Sequence, residues 1–343
     1  MSKLVEIIYE DAQKIAQAVD FSEVAGKTVL ITGASGLIGT YFVATLYAFL
    51  KQNNLRASVC VAMHSEPADY LQYFLSNENF SCQIGDITNN DYLQSLPQAD
   101  YIIHAAGYGQ PGRFMEDQVK TIAINTASTL ALFKKLLPGG KFLFISTSEV
   151  YSGLPNPPYR ESEIGCTNTT HPRACYIEGK RCGEAIVGAY RAQGVSAKSA
   201  RLALAYGPGT KVGDARVINN FIFKALQGKI NLLDSGVAKR TYCYVSDAVR
   251  IMSNILLRGQ NPIYNVGGNS KTTIGELAKN IGEITGATVV FPIVSTQALA
   301  GAPEDVGLDM SLVEKEFGKI DFIPFEEGLK RTVEWQTELY NNF

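Results

Sequence analysis

Six short apolar segments recur along the first two-thirds of the chain: KTVLIT (27–32), ASVCVAM (57–63), FSCQIG (80–85), DYIIHAA (100–106), KFLFIST (141–147) and AKSARLAL (197–204). Most are continuously apolar where a half-exposed strand would alternate. Stretches with helical apolar spacing separate them, such as VKTIAINTASTLALFKKLL (119–137). A strand apolar on both faces must be covered on both faces. Repeated units of this kind therefore predict an α/β fold with a parallel sheet between two helical layers.

Ahead of these units, Leu4, Ile7, Ile8, Ile15 and Val19 share one helical face. A helical extension is expected over 1–25, packed on the body or on a partner subunit. After residue 205 the pattern becomes irregular, with helical stretches at 215–228, 273–285 and 325–340 among Gly- and Pro-containing loops. The expected division is a doubly wound domain over 26–205, to which 240–268 returns through the strand-like PIYNV (262–266). A smaller α/β lobe over 206–343 would bind substrate.

Bulk properties exclude several classes. Lys+Arg 31 against Asp+Glu 33 gives a net charge of −2, so no basic field recruits nucleic acid or anionic lipid. The run YFVATLYAFL (41–50) is too short to span a bilayer, and acidic residues interrupt the N-terminal segment where a signal peptide is apolar. A cytoplasmic protein without membrane or nucleic-acid partners is expected. Cysteines 60, 82, 166, 175, 182 and 243 show no Cys-x-x-Cys spacing, and only three histidines are present. Reduced thiols and no metal site are expected.

The segment TVLITGASGLIGTYFVATL reads as strand, glycine turn and helix, with Gly33, Gly36 and Gly39 spaced Gly-x-x-Gly-x-x-Gly. Such glycines allow a tight turn, close approach of backbone to a pyrophosphate and close helix–strand packing, with the helix N-terminus facing the phosphates. A Rossmann-type dinucleotide site follows. The second strand ends in Met63, His64 and Ser65, and Glu66 comes too late to grip a ribose, so NAD and NADP both stay open. Asp86 in GDIT is placed to bind an adenine amino group or to cap its own loop.

FLFISTSEVYSG sets Ser146, Thr147, Ser148 and Glu149 at the carboxyl end of the fifth strand, where doubly wound sheets take their ligands. Tyr176 and Lys180, at i and i+4 of YIEGK, share one helix face. A neighbouring ammonium stabilises a phenolate, so the tyrosine is expected to fall from about 10 toward neutrality and to exchange a proton with an alcohol or carbonyl. Arg113, in the loop after the fourth strand, is placed either to meet a substrate carboxylate or to be solvated. His104 fills a strand end and is not a general base. Cys175 and Cys182 are expected to pack.

With TGASGLIG, GDIT, IIHAAG, STSEVY, YIEGK, RLALAYGPG, KRTYCYVSDAV and YNVGG, residues 25–340 resemble the extended short-chain dehydrogenase/reductases of the nucleotide-sugar epimerase, dehydratase and decarboxylase branch. The resemblance implies Thr147, Tyr176 and Lys180 as a catalytic triad and Asn125 as a structural residue. It also implies a cofactor, NAD, held by Gly33, Ser35, Gly36, Leu37, Ile38, Gly39, His64, Asp86, Ile87, Ala105, Ala106 and Gly107 together with Tyr176 and Lys180. A homodimer through a four-helix contact is typical of such proteins.

VKTIAINT, STSEVY, HPRACYIEGKR, ARVINNFI and KRTYCYVSD most resemble the UDP-glucuronate decarboxylases. That likeness implies active-site roles for Glu149 and Arg240, with Arg173, Ser148 and Asn219 near a UDP-, dTDP- or GDP-linked sugar. The loop GYGQPGRFMED and Ser152 in YSG depart from that pattern. Thr147-Ser148-Glu149 also matches some 4,6-dehydratases, while a 4-ketosugar reductase and a 4-epimerase remain further readings. A dinucleotide-binding regulator without chemistry would typically lack the Tyr–Lys pair.

Overall fold

The computed structural model describes residues 1–292 and 307–342; residues 293–306 and 343 of the expected lobe lie outside the described residues. One sheet contains β1 (Thr28–Thr32), β2 (Ser58–Met63), β3 (Phe80–Ile84), β4 (Ala99–His104), β5 (Leu136–Thr147), β6 (Ser196–Leu202) and β7 (Ile263–Val266). Every pairing is parallel, in the order β7-β6-β5-β4-β1-β2-β3. The strand order reverses between β1 and β4, which opens a crevice beyond their carboxyl ends.

The helices that position the site are α1 (Lys3–Ala18), α2 (Leu37–Gln52), α3 (Pro111–Glu116), α4 (Gln118–Asn125), α5 (Ala127–Phe133), α6 (Ala174–Ala192), α7 (Val217–Leu226), α8 (Val245–Arg258), α9 (Ile274–Thr285) and α10 (Phe325–Asn341). The single helix expected over 119–137 is broken. Thr126 is distorted to φ −117°, ψ −76° within the helical region, although its N–H still donates to the Ile122 carbonyl at 3.0 Å. Leu136 and Leu137 already belong to β5.

The apolar run 41–50 finds its explanation in α2. The sheet, α1 and α8 all pack on this helix, so Tyr41 through Leu50 are buried on every side. Among the described residues no helix is long and apolar enough to cross a membrane. A second core unites α7, α9 and α10 through Ile218, Ile222, Leu277, Ile281 and Leu329. A capping box between Thr273 and Glu276 fixes the start of α9.

α1 is tied to the body by a buried charge. Asp11, 1 % exposed, accepts hydrogen bonds from the hydroxyls of Tyr41 at 2.9 Å and Tyr244 at 2.7 Å. Its other oxygen pairs with the Arg331 guanidinium at 3.1 Å, and Arg331 also donates to the Ile7 carbonyl at 3.0 Å. One carboxylate thus joins α1, α2, α10 and the segment leading into α8. Removing one partner of a buried pair leaves the other unsatisfied, which costs about 3–5 kcal/mol. Asp11→Ala is expected to lower the unfolding free energy from urea titration by about 3–5 kcal/mol; a loss below about 1 kcal/mol would show that the network does not hold the extension.

Candidate active site

The glycine turn is built on contact between two loops. Gly33 has φ +70°, and a Cβ there would lie 2.6 Å from the backbone of Ala105 and Ala106. A Cβ on Gly39 would lie 2.4 Å from the Gly33 carbonyl oxygen. Gly36 is exposed at the start of α2 and makes no side-chain cap, so the first N–H groups of that helix open onto the crevice. Ser35 and Ile38 are half-buried there, and Leu37 is buried. This cradle fits a pyrophosphate.

Beside it, the Thr32 hydroxyl bridges His104 Nδ1 at 2.8 Å and the Ala106 N–H at 3.3 Å. His104 Nε2 faces the Ile124 carbonyl at 3.2 Å, so that nitrogen carries the proton. Complete burial, helped by the Lys180 charge, holds His104 down at about 3. It is a neutral wedge between loops, as expected of a strand-end residue.

The flanks of the crevice are less uniform. Asp86, past the end of β3, accepts from the Thr88 N–H at 2.9 Å and pairs with Lys120 at 2.7 Å. Burial raises its carboxyl, but Lys120 and Thr88 outweigh that and hold it at about 2. Asp86 therefore caps its own loop. Ile87 anchors the same loop by accepting from the Ser128 hydroxyl at 2.8 Å. His64 is exposed beyond β2.

The end of β5 holds α6 residue by residue. The Ile145 carbonyl accepts from Lys180 Nζ at 2.7 Å. The Ser146 hydroxyl donates to Glu184 at 2.5 Å. The Thr147 hydroxyl acts on the Tyr176 phenol to lower its pKa, and it accepts from the Glu149 N–H at 3.2 Å. Lys180 Nζ further lies 4.7 Å from the centre of the Phe144 ring, and a Cβ on Gly107 would come within 3.6 Å of it. Thr147, Tyr176, Lys180 and the glycine cradle therefore meet at one sheet edge.

The expected electrostatics of the tyrosine are overturned. Burial pushes Tyr176 up to about 12, with the Glu149 carboxylate acting in the same direction and Thr147 and Arg173 opposing. Desolvation also brings Lys180 down to about 7 against the upward pull of Glu184. Sequence spacing shows the ammonium but not the burial, and burial wins.

One carboxylate beside the pair is engaged. Glu149 forms an ion pair with Arg173, the residue preceding α6. Burial raises the Glu149 carboxyl, and Arg173 works against that rise. The Arg173 guanidinium lies 5.5 Å from the Phe114 ring centre, and Phe114 stacks on Tyr176 with centroids 4.5 Å apart and planes 3° from parallel. Phe114, on α3, was not singled out by sequence; an aromatic in the loop after β4 gave no local signal of what it would face.

The remaining candidates lie further out. Ser148 is half-buried at the start of the turn Ser148–Tyr151. Arg113 is exposed, 5.9 Å from the Tyr108 ring centre. Arg240 sits in a two-residue strand paired antiparallel with Thr272–Thr273. Asn219 is buried on α7, where its side-chain oxygen accepts from Gln336 at 2.6 Å, so it faces an internal partner. Cys175 is buried and donates to the Phe114 carbonyl at 3.4 Å, whereas Cys182 is exposed, contrary to expectation, because α6 turns that face outward.

Lys180 yields a measurable consequence. Its folded value of about 7 lies below the ordinary 10.5, so the folded chain releases this proton first. The stability this group contributes is present above about 10.5 and is lost as pH falls through 7. Wild type is expected to gain stability between about pH 7 and pH 10 relative to Lys180→Met, read from urea midpoints. Parallel pH profiles for the two proteins would refute the buried ammonium.

Comparison with known proteins agrees with this geometry. Residues 29–267 match the NAD dependent epimerase/dehydratase family. The chain is 30% identical over 329 residues to UDP-glucuronic acid decarboxylase 1 of Xenopus tropicalis, covering 94% of this chain and 75% of that protein. Among solved structures, dTDP-glucose 4,6-dehydratase from Streptomyces venezuelae with NAD bound superposes with a TM-score of 0.79 at 25% identity, over 92% of this chain and 98% of the other. UDP-glucose 4-epimerase from Thermotoga maritima, with UDP-glucose, gives a TM-score of 0.76 at 26% identity, over 91% and 99%.

Proposed function

This chain belongs to the NAD dependent epimerase/dehydratase family, and from that premise we propose that it decarboxylates a UDP-linked hexuronate. The observation that carries the reading is the meeting of Thr147, Tyr176 and Lys180 with Glu149 beside the glycine turn. The relatives named UDP-glucuronic acid decarboxylase, matched over most of this chain, support the choice of substrate.

Gly33, Gly36 and Gly39 would cradle the cofactor's phosphates, with Gly107 and Lys180 nearer the reacting end. When bound, NAD supplies the acceptor for the C4 hydride and returns it at the end of the cycle. Tyr176 takes the proton of the C4 hydroxyl, and Thr147 aligns that oxygen. The product is a 4-keto acid with its carboxylate β to the carbonyl. Its C5–C6 bond breaks to release carbon dioxide, the electron pair passes to the C4 oxygen, and the protonated phenol of Tyr176 stabilises that oxygen. C5 then takes a proton. In this reading Arg240 and the 206–343 lobe hold the nucleotide diphosphate, a task suited to a guanidinium.

A second reading is a 4,6-dehydratase, favoured by the presence of Glu149 within the same site. There its carboxylate removes the C5 proton, water leaves from C6, and the hydride taken from C4 would be returned at C6. A homodimer is supported by Val119 (79 % exposed), Ile122 (44 %) and Leu130 (44 %) on α4 and α5, beside α6.

UDP-, dTDP- and GDP-sugars incubated with the protein and NAD separate the readings by product mass. UDP-glucuronate is expected to lose carbon dioxide, and Tyr176→Phe to slow that loss by about 100-fold or more. Loss of water from a hexose would establish the dehydratase instead. Unchanged turnover in Tyr176→Phe would sink both mechanisms.

A further inference from the structure

Four side chains form a row at the mouth of the site: Glu149, Arg173, Phe114 and Tyr176. Arg173 is mostly buried, with 18% of its side chain exposed, and pairs with Glu149 through Nη2 alone. Its Nε is buried and finds no hydrogen-bond partner among the described residues. Nε and Nη2 form the side of the guanidinium that grips a carboxylate bidentately. Glu149 therefore fills that fork by half. A buried donor without an acceptor is costly, and native structures rarely retain one unless another state satisfies it.

The fork is also held in place. Its guanidinium packs over Phe114, whose ring is 1 % exposed and stacked flat on Tyr176. The phenol acts on C4, and the carboxylate of a hexuronate is two carbons away. The Arg173 guanidinium stands across the Phe114 ring from the residue that acts on C4.

We propose that Arg173 is the specificity-determining residue for the substrate carboxylate, exchanging its single contact to Glu149 for a bidentate grip on the C6 carboxylate. The assignment rests on the decarboxylase reading for its ligand. The exchange makes Glu149 a competitor: it keeps the guanidinium desolvated and oriented, and it must yield when the uronate arrives. Released from Arg173, Glu149 loses the charge that opposes its burial, and its carboxyl moves further toward the neutral form.

The competition gives the test an unusual sign. Dissociation constants for UDP-glucuronate and UDP-glucose are measured by calorimetry with NAD present, in the Tyr176→Phe background, which keeps the ring stack and slows turnover. Adding Glu149→Gln is expected to tighten UDP-glucuronate binding severalfold and leave UDP-glucose within twofold. Adding Arg173→Gln is expected to weaken UDP-glucuronate by about tenfold or more, again sparing UDP-glucose, as loss of a charge-assisted pair implies.

Equal weakening of both ligands by Arg173→Gln, or unchanged or weaker UDP-glucuronate binding in Glu149→Gln, overturns the assignment. The two proposals fail differently. Binding preferences as described with no carbon dioxide released by the unmutated protein would overturn the decarboxylase reading and keep Arg173 as the carboxylate receptor. Decarboxylation with an Arg173→Gln protein that still prefers the uronate would overturn the receptor alone.

Discussion

The active-site geometry depends on one buried ion pair. Glu184 on α6 and Arg201 on β6 are 6% and 3% exposed and joined by the Arg201 Nε and Nη2 donors, the latter at 2.8 Å. A buried pair repays its desolvation only when its remaining donors and acceptors are also satisfied. Here they are: Ser146 donates to Glu184, and Arg201 Nη1 donates to the Tyr151 hydroxyl and to the carbonyls of Glu161 and Glu163. Tyr151 in turn donates to Asn265 at 2.7 Å, on β7. The pair thus locks α6, β5, β6 and β7 at the level of Thr147. Lys180 and Tyr176 lie one and two turns before Glu184 on α6. Their height over the sheet edge is fixed by a contact that touches neither.

Much of this was legible because it is local. The glycine triad, the i, i+4 pair and the apolar strands each declare themselves within a few residues, and the fold they imply is the one observed. Helix 119–137 misled because its apolar spacing continues through Thr126, and only that residue's backbone angles show the break. The apolar α2 reads like an ordinary buried helix, but its far side is covered only because α1 lies across it. Asp11 looks like a surface residue of an amphipathic helix, and its partners come from residues 41, 244 and 331.

The site residues divide the same way. Asp86 pairs with Lys120, and Asn219 is held by Gln336, partners that lie outside any short motif. Glu149 and Arg173 were each singled out, yet their pairing across 24 positions was not visible, nor was the aromatic stack that carries Arg173 toward Tyr176. Contacts between loops depend on how far the sheet brings them together, and periodicity does not encode that distance.

Burial also sets the character of the pocket. Tyr176 is driven up to about 12, Lys180 down to about 7 and His104 down to about 3, while the Glu149 carboxyl is raised. Every one of these shifts favours the neutral form, as a desolvated environment requires. A phenol at 12 releases its proton near neutral pH only where positive charge is added beside it, and a lysine at 7 supplies that charge only in part. In such a medium a full charge acts strongly over a short distance. A guanidinium is the side chain that keeps its charge in such surroundings. A ligand that carries a carboxylate thus meets a neutral-leaning pocket with the Arg173 guanidinium beside the Phe114–Tyr176 stack, and the position of that guanidinium bears on which carbon the carboxylate occupies.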